Sequence, residues 1–220
     1  MNNGTTDQRE RGRGQRHPRA DGERTRSAIL STAASLATVE GLEGLSIGHL
    51  AGAIGMSKSG LYAHFGSKLE LQLATVDEAE RIFNGEVMQP ALAARPGRAQ
   101  LVAVCEAFLG YVQRRVFPGG CFFAATALEM GLRPGPVRDR VAAIQSGFTA
   151  LLRTFAATAV EQDELPARED PDRLAFELHA ILLAADAKFV LYDDPAVLDM
   201  ARQVVYQRLG LGNGGNTSEG

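Results

Sequence analysis

The sequence predicts an all-α fold of about nine helices, and three observations support it. Apolar residues recur at helical spacing from about residue 24 to residue 210. Capping residues, glycines and prolines divide this pattern into helix-sized segments. No segment shows the alternation of a confident strand, and no internal repeat is found. With 220 residues, 45% of them hydrophobic, the chain can build a large core without metal or disulfide.

The composition excludes several classes of protein. No apolar run of about 18 residues predicts a membrane span, and the polar, Arg-rich N-terminus lacks the apolar segment of a secretory signal. Two cysteines, Cys105 and Cys121, form neither a disulfide framework nor a metal-ligand cluster. We therefore expect a cytoplasmic protein without a cofactor or metal.

The charge distribution favours one end of the chain for binding phosphate. The net charge is −3, but residues 1–74 hold nine Lys and Arg against seven acidic residues. A basic end joined to an acidic body indicates that only this end meets phosphate. The alternative is chance, because a difference of a few charges is common.

Capping signals delimit the N-terminal helices. A serine before a helix can accept hydrogen bonds from the free backbone N–H groups of its first turn, and a glycine after a helix can end it. The predicted elements are a disordered basic arm over 1–20; a first helix over 23–40, ending before Gly41; a second capped by Ser46 and stopped by Gly55; a third capped by Ser57 and running to about Phe65; and a fourth opened by an S-x-x-E capping box at Ser67, running to about Asn84-Gly85, before a break over Pro90–Gly97.

Five more helices follow by the same criteria. They are one striped by Leu101, Cys105, Phe108 and Val112 and ended by Pro118-Gly119-Gly120; a short one from Cys121 to Met130; a long one striped from Val137 to Phe155; one opened by Asp170-Pro171 and running to about Tyr192; and one opened by Asp194-Pro195 and reaching Leu209. The helix over 171–192 is apolar around most of its circumference, so both of its faces should be buried. Residues 211–220 should form a disordered tail.

The two short helices over 46–65, separated by a glycine-containing turn, fit a helix-turn-helix. Such a unit places its second helix in the DNA major groove, N-terminus first. We expect Lys58, Ser59 and Gly60 to lie nearest the base edges and the other candidates mainly to contact phosphates. The candidate DNA-binding residues are Ser46, Ser57, Lys58, Ser59, Gly60, Tyr62, His64 and Lys68.

The stretch LSIGHLAGAIGMSKSGLYAHFGSKLELQLAT resembles the DNA-binding signature of the TetR/AcrR family of bacterial transcriptional regulators. The matching positions are Ser46, Leu50-Ala51, Gly55-Met56-Ser57, Leu61-Tyr62, His64-Phe65, Ser67-Lys68 and Leu71. The resemblance covers about residues 24–74, and helix count and length fit the family over the rest. Gly48 and Gly60 depart from the family, which often has larger residues there.

The resemblance implies a DNA-binding domain over 21–68 and a ligand-binding and dimerisation domain over 69–210. It implies a homodimer formed through the helices at about 171–192 and 195–210, which binds a palindromic operator. A small-molecule effector in the C-terminal domain would release it from DNA, as in a repressor. The candidate pocket residues are Cys105, Phe108, Tyr111, Phe122, Phe123, Thr126, Met130, Phe148 and His179.

Several alternatives stay open from the sequence. The aromatic candidates could be core residues, and the helix over 171–192 could be the centre of a monomeric bundle. Cys121 begins a helix, where a thiol pKa can be lowered, so a redox sensor is one alternative to a ligand. The other interpretation of Cys121 is a small buried core residue. Control by a protein partner is another. An enzyme is disfavoured, because no G-x-S-x-G, H-E-x-x-H or P-loop motif occurs.

Overall fold

The N-terminal unit consists of α1 (Pro18–Glu40), α2 (Ile47–Ile54) and α3 (Lys58–Phe65). The computed structural model describes residues 18–212, so most of the predicted basic arm lies outside the described residues. Residues 18–20 are helical, and the first helix therefore begins five residues before its predicted start. Proline suits a first helical turn because its missing N–H has no partner there.

Helix α4 is longer than the sequence predicts. It consists of three consecutive segments, Lys68–Phe83, a π-helical turn Asn84–Met88, and Gln89–Ala93. The predicted end at Asn84-Gly85 is wrong, and the predicted break over Pro90–Gly97 is confined to residues 94–97. In a regular α-helix a proline ring clashes with the carbonyl four residues earlier. Here the wider π turn directly before Pro90 accommodates the ring, and the helix continues to Ala93.

The other helices follow the predicted order. They are α5 (Arg98–Gln113), α6 (Phe122–Met130), α7 (Pro136–Glu161), α8 (Pro171–Tyr192) and α9 (Ala196–Arg208). The described part of the chain thus holds nine helices and no strand. None of these helices is long and apolar enough to cross a bilayer. Residues 213–220 of the predicted tail lie outside the described residues.

Two predicted caps open the C-terminal helix pair. The Asp170 carboxylate accepts from the backbone N–H groups of Asp172 and Arg173 at the start of α8. The Asp194 carboxylate accepts from Ala196 N at 2.9 Å. Both are the Asp-Pro starts that the sequence indicates.

Helix α4 connects the N-terminal unit to the rest of the core. Its 26 residues span about 39 Å at 1.5 Å per residue. Toward its middle, the buried Glu78 carboxylate accepts from the hydroxyls of Ser27 and Ser31 on α1, at 2.9 and 2.8 Å. Arg81 donates to the same carboxylate. This polar link fixes α4 against α1 within an otherwise apolar interface.

Candidate DNA-binding surface and effector cavity

The α2–α3 unit has the caps that its sequence predicts. Ser46 Oγ accepts from His49 N at 3.2 Å, and α2 ends at Gly55. Ser57 Oγ accepts from Gly60 N at 3.1 Å at the start of α3. Leu61 and Phe65 point into the core beneath α2. The N-terminus of α3 is therefore held in position and faces outward.

The exposed face of α3 carries most of the predicted DNA-binding residues. Lys58 and Ser59 are exposed in the first turn, and Tyr62 follows one turn later with 55% of its surface exposed. Gly60 is half-buried, and a Cβ atom added to it would lie 3.1 Å from Ser57 Oγ. The face carries hydroxyls, a cation and free N–H groups, which suits a groove lined with base edges and phosphates.

Of the two lysines among the candidates, Lys68 is paired within the protein, and the stem of Lys58 lies against α2. Lys68 Nζ lies 2.7 Å from both Glu43 Oε1 and the Glu43 carbonyl oxygen. The Lys58 chain crosses α2 at Gly48, where an added Cβ would lie 3.1 Å from Lys58 Cε. The small residue at position 48 thus leaves room for the lysine stem.

Sequence reasoning missed the role of Arg26. Its guanidinium donates to the His64 carbonyl at 2.5 Å and lies 4.4 Å from the centroid of the Phe65 ring. Arg26 therefore caps the C-terminal end of α3 from α1. Its place in an Arg-rich segment hid this contact, because an arginine that caps a distant helix looks the same in sequence as one that attracts phosphate.

The predicted pocket residues all lie in the C-terminal core, but only some of them share a cavity. Four of them line one small cavity: Phe108, Phe123, Phe148 and His179. The other candidates pack around it as buried core residues; they are Cys105, Tyr111, Phe122, Thr126 and Met130. The cavity has a volume of about 10 Å³, which is room for one water molecule.

A larger groove adjoins this cavity. It lies between α4 and α7 beside the π turn and has a volume of about 240 Å³. Phe83, Ile144 and Phe148 line both spaces. Arg140 lies at the groove and pairs with Asp77 and Glu80 of α4. A small displacement of the shared side chains would join groove and cavity into one site.

Phe83 is the centre of the aromatic cluster and was not predicted. Its ring makes edge-to-face contacts with Tyr111, Phe123 and Phe148 at centroid distances of 5.8, 5.8 and 5.5 Å. The sequence signal for it was absent because Phe83 lies where the fourth helix was expected to end. Once the helix continues, Phe83 faces the cluster from α4.

Cys121 does not have the environment of a reactive thiol. It begins α6, as predicted, but it is buried, and burial raises the pKa of its thiol to about 12. Of the two interpretations that the sequence leaves open, the buried residue fits and the activated thiol does not, because the loss of hydration disfavours the thiolate more than the helix N-terminus favours it. Cys105 is likewise buried, and its thiol pKa is raised.

His179 is held within the core and uncharged. Its Nδ1 lies 3.2 Å from Thr149 Oγ1, and its ring stands edge-on to Phe148 at 5.3 Å. Burial lowers its pKa, so it presents a neutral imidazole to the cavity.

The outer face of α8 is apolar and uncovered in the single chain. Phe176 and Leu191 are 71% and 72% exposed. The exposed Ala180, Ala184 and Ala187 lie between them at helical spacing. The prediction that both faces of this helix are buried does not hold for one chain alone. A groove of about 380 Å³ separates this face from α9.

Comparison with known proteins places these features in a family. Residues 29–75 match the model for bacterial regulatory proteins of the tetR family, and residues 97–205 match the tetracyclin repressor-like C-terminal domain. A comparison with curated proteins finds no match.

Solved structures of similar fold cover nearly the whole chain. A TetR transcriptional regulator from Chloroflexus aurantiacus is 27% identical, with a TM-score of 0.80, covering 87% of this chain and 96% of that one. A TetR-family regulator from Streptomyces coelicolor is 23% identical, with a TM-score of 0.73, covering 86% and 95%. AibR, crystallised with isovaleryl coenzyme A and operator DNA, is 24% identical, with a TM-score of 0.66, covering 83% and 97%.

A capped helix-turn-helix joined to a helical C-terminal core defines this molecule as a helix-turn-helix DNA-binding protein. Its two parts both match models of one family. The chain belongs to the TetR family, and it is a DNA-binding transcriptional regulator.

Proposed function

We propose that the protein is a homodimeric repressor that leaves its operator when a small molecule binds in the C-terminal core. The exposed face of α3, from Lys58 to Tyr62, carries this proposal. It projects side chains able to donate to bases and phosphates from a helix whose other face is buried. Two such helices are needed to read two half-sites about one helical turn apart.

The uncovered face of α8 and α9 supports a second copy of this chain as the partner. Met200 and Val204 on α9 are 64% and 40% exposed and border the groove beside α8. Exposed apolar surface of this kind is uncommon on a monomer. The alanines of α8 allow close approach of a second helix. A two-fold axis here would therefore bury the apolar faces of α8 and α9 of both subunits.

The aromatic cavity and the adjoining groove support an effector site. The π turn Asn84–Met88 borders the groove, and π turns are frequent at functional sites. A ligand that opens the space between α4 and α7 must displace Phe83 or Phe148 and disturb the Arg140 ion pairs. Since α4 begins next to the DNA-binding unit, its displacement would move α3. The ligand then acts through its preference for the displaced state.

Selection of bound fragments from a random DNA pool tests the operator. Wild type is compared with a Tyr62→Ala, Lys68→Ala double variant at one stated salt concentration. Arg168→Ala serves as the control for the lost cation. Arg168 is exposed in the loop before α8, outside the DNA-binding unit. We expect one inverted-repeat motif from wild type and control but not from the double variant; no motif from wild type would refute the proposal.

A thermal-shift screen tests the effector site. Phe148→Trp fills the small cavity without touching α3. We expect true effectors to raise the melting temperature of wild type but not of this variant, and to release wild type from the operator in fluorescence anisotropy. A broad library that never shifts wild type favours the alternative of a protein partner. The thiol-sensor alternative is tested separately, since fast labelling of native Cys121 would contradict its burial.

A further inference from the structure

Helix α6 is joined to other parts of the molecule at both ends through carboxylates, the buried Asp186 of α8 at its start and its own half-buried Glu129 at its end. At its start, Asp186 Oδ1 of α8 accepts from Cys121 N at 2.9 Å. At its end, the carboxylate of Glu129 accepts from the backbone of the α1–α2 turn, with Oε2 2.7 Å from Leu42 N and Oε1 2.8 Å from Glu43 N. Nine residues long, α6 spans about 13.5 Å between the proposed dimerisation helix and the DNA-binding unit.

The two residues before Cys121, Gly119 and Gly120, lie between α1 and α8. Gly119 N donates to Thr38 Oγ1 at 3.1 Å, and a Cβ on Gly119 would lie 2.0 Å from the Thr38 carbonyl oxygen. A Cβ on Gly120 would lie 2.4 Å from Asp186 Oδ1 and 2.7 Å from Val190 Cγ2. Two glycines therefore allow α1 and α8 to approach one segment from opposite sides.

The turn held by Glu129 also positions the DNA-binding surface. Gln72 Nε2 of α4 donates to the Leu42 carbonyl at 2.9 Å, and Lys68 Nζ donates to the Glu43 carbonyl at 2.7 Å. Ser46, the cap of α2, follows three residues later. A shift of this turn thus moves both the start of α2 and the candidate phosphate contact at Lys68.

We infer that α6 and the Gly119-Gly120 segment form a strut that sets the distance and orientation between the DNA-binding unit and the dimerisation helices, with Gly119 and Glu129 as positioning residues. The strut is a second connection, distinct from α4, because its contacts run from α8 to α1 and to the α1–α2 turn. The inference rests on the proposed dimer, in which the strut of each subunit fixes the spacing of the two α3 helices.

The number of base pairs that the dimer prefers between the two half-sites tests whether the strut fixes the distance between the two α3 helices. Each added base pair moves one half-site by about 3.4 Å and rotates it by about 34° relative to the other. A rigid connection therefore gives one preferred spacing, and a displaced or loosened connection gives a shifted or broader optimum. Binding to an isolated half-site depends on α2 and α3 alone and is insensitive to the connection.

The experiment uses full-length Gly119→Ala and Glu129→Gln. An alanine at 119 forces Thr38 away by at least about 1 Å, because real Cβ contacts do not fall below 3.0 Å. Glu129→Gln removes one of two acceptors and the charge. Gly147→Ala, with no atom within 4 Å of the added Cβ, and Glu161→Gln, at an exposed carboxylate, are the matched controls.

Affinity is measured by anisotropy for the selected operator, for versions with one or two base pairs added or removed between the half-sites, and for one half-site alone. We expect Gly119→Ala to lose at least about tenfold at the wild-type spacing, with a shifted or flattened optimum and half-site affinity within about twofold. Glu129→Gln should change the profile in the same direction, and both controls should follow wild type.

The outcomes separate the two proposals. Superimposable spacing profiles for wild type, Gly119→Ala and Glu129→Gln would overturn the strut while leaving the repressor intact. A parallel loss on the half-site would also overturn it, because it would show damage to the helix-turn-helix itself. A wild-type protein without any preferred spacing would refute the dimeric operator on which the strut rests.

Discussion

Replacing Phe83 with alanine tests how tightly the C-terminal core is packed. The ring is buried and stands edge-on to four others, those of Phe108, Tyr111, Phe123 and Phe148. Removing a buried phenylalanine ring costs about 3–5 kcal/mol, from lost transfer free energy and from the cavity left behind. The loss should lie toward the upper end, because edge-to-face pairs add to the effect of burial.

Replacing Phe83 with alanine should also join the small aromatic cavity to the adjoining groove. Phe83 lines both the cavity of about 10 Å³ and the groove of about 240 Å³, so its removal should create one larger apolar site. Benzene or indole should then raise the melting temperature of Phe83→Ala. Phe83→Leu is the control, since it keeps most of the volume filled and should be destabilised less and show no response to either compound.

The free energy of unfolding is measured by urea titration at one fixed protein concentration, because the stability of the proposed dimer would depend on concentration. A decrease in the unfolding free energy of less than about 1 kcal/mol for Phe83→Ala would refute the reasoning, since the removal of a tightly packed ring destabilises a protein by more than this. An equal response of both variants to benzene would show that the compound binds elsewhere.

Three further predictions concern single contacts. Ser57→Ala removes the acceptor of Gly60 N and should lower the unfolding free energy by about 1 kcal/mol and weaken operator binding; Ser59→Ala, which leaves the cap in place, should keep the stability of wild type. Arg26→Ala removes the cation over Phe65 and should cost about 1–3 kcal/mol in urea titrations, and a loss no larger than that of Arg168→Ala would contradict the capping role. Burial raises the pKa of Asp186 to about 6 from 3.8, so the folded state binds more protons than the unfolded state between these values, and Asp186 lowers stability as pH rises through this range. The unfolding free energy of Asp186→Asn minus that of wild type should therefore increase from pH 4 to above pH 6, and a pH-independent difference would contradict the raised pKa.

Local sequence signals were sufficient for both ends of α2, for both ends of α3 and for the start of α4. The serines at 46, 57 and 67 accept from the backbone N–H groups that the cap patterns indicate. Caps act within one helical turn, so they can be recognised without knowledge of the tertiary structure. The exposed face of α3 follows from the same spacing, because Leu61 and Phe65 fix which side is buried.

The errors arose where tertiary structure overrides a local signal. Pro90 reads as a helix break, yet a π turn carries α4 past it. The helix start at Cys121 leaves an activated thiol and a buried residue equally open, and only the packing around it, which removes the water that a thiolate needs, distinguishes them. The contacts of Arg26 and Glu129 join residues far apart in the chain, and nothing in either local segment indicates the partner.

The ion pair between Lys68 and Glu43 bears on how the protein searches a genome. Attraction to random DNA comes largely from cations that displace the counterions of the phosphates. Lys68 carries a fixed carboxylate at 2.7 Å in place of a mobile counterion, so it adds little to the hold on an arbitrary sequence. A phosphate must compete with Glu43 for the ammonium, which favours the exchange where α3 also fits the groove. A genome offers roughly 10⁶–10⁹ competing non-specific sites. A low affinity for these sites shortens the residence time of the protein on each of them.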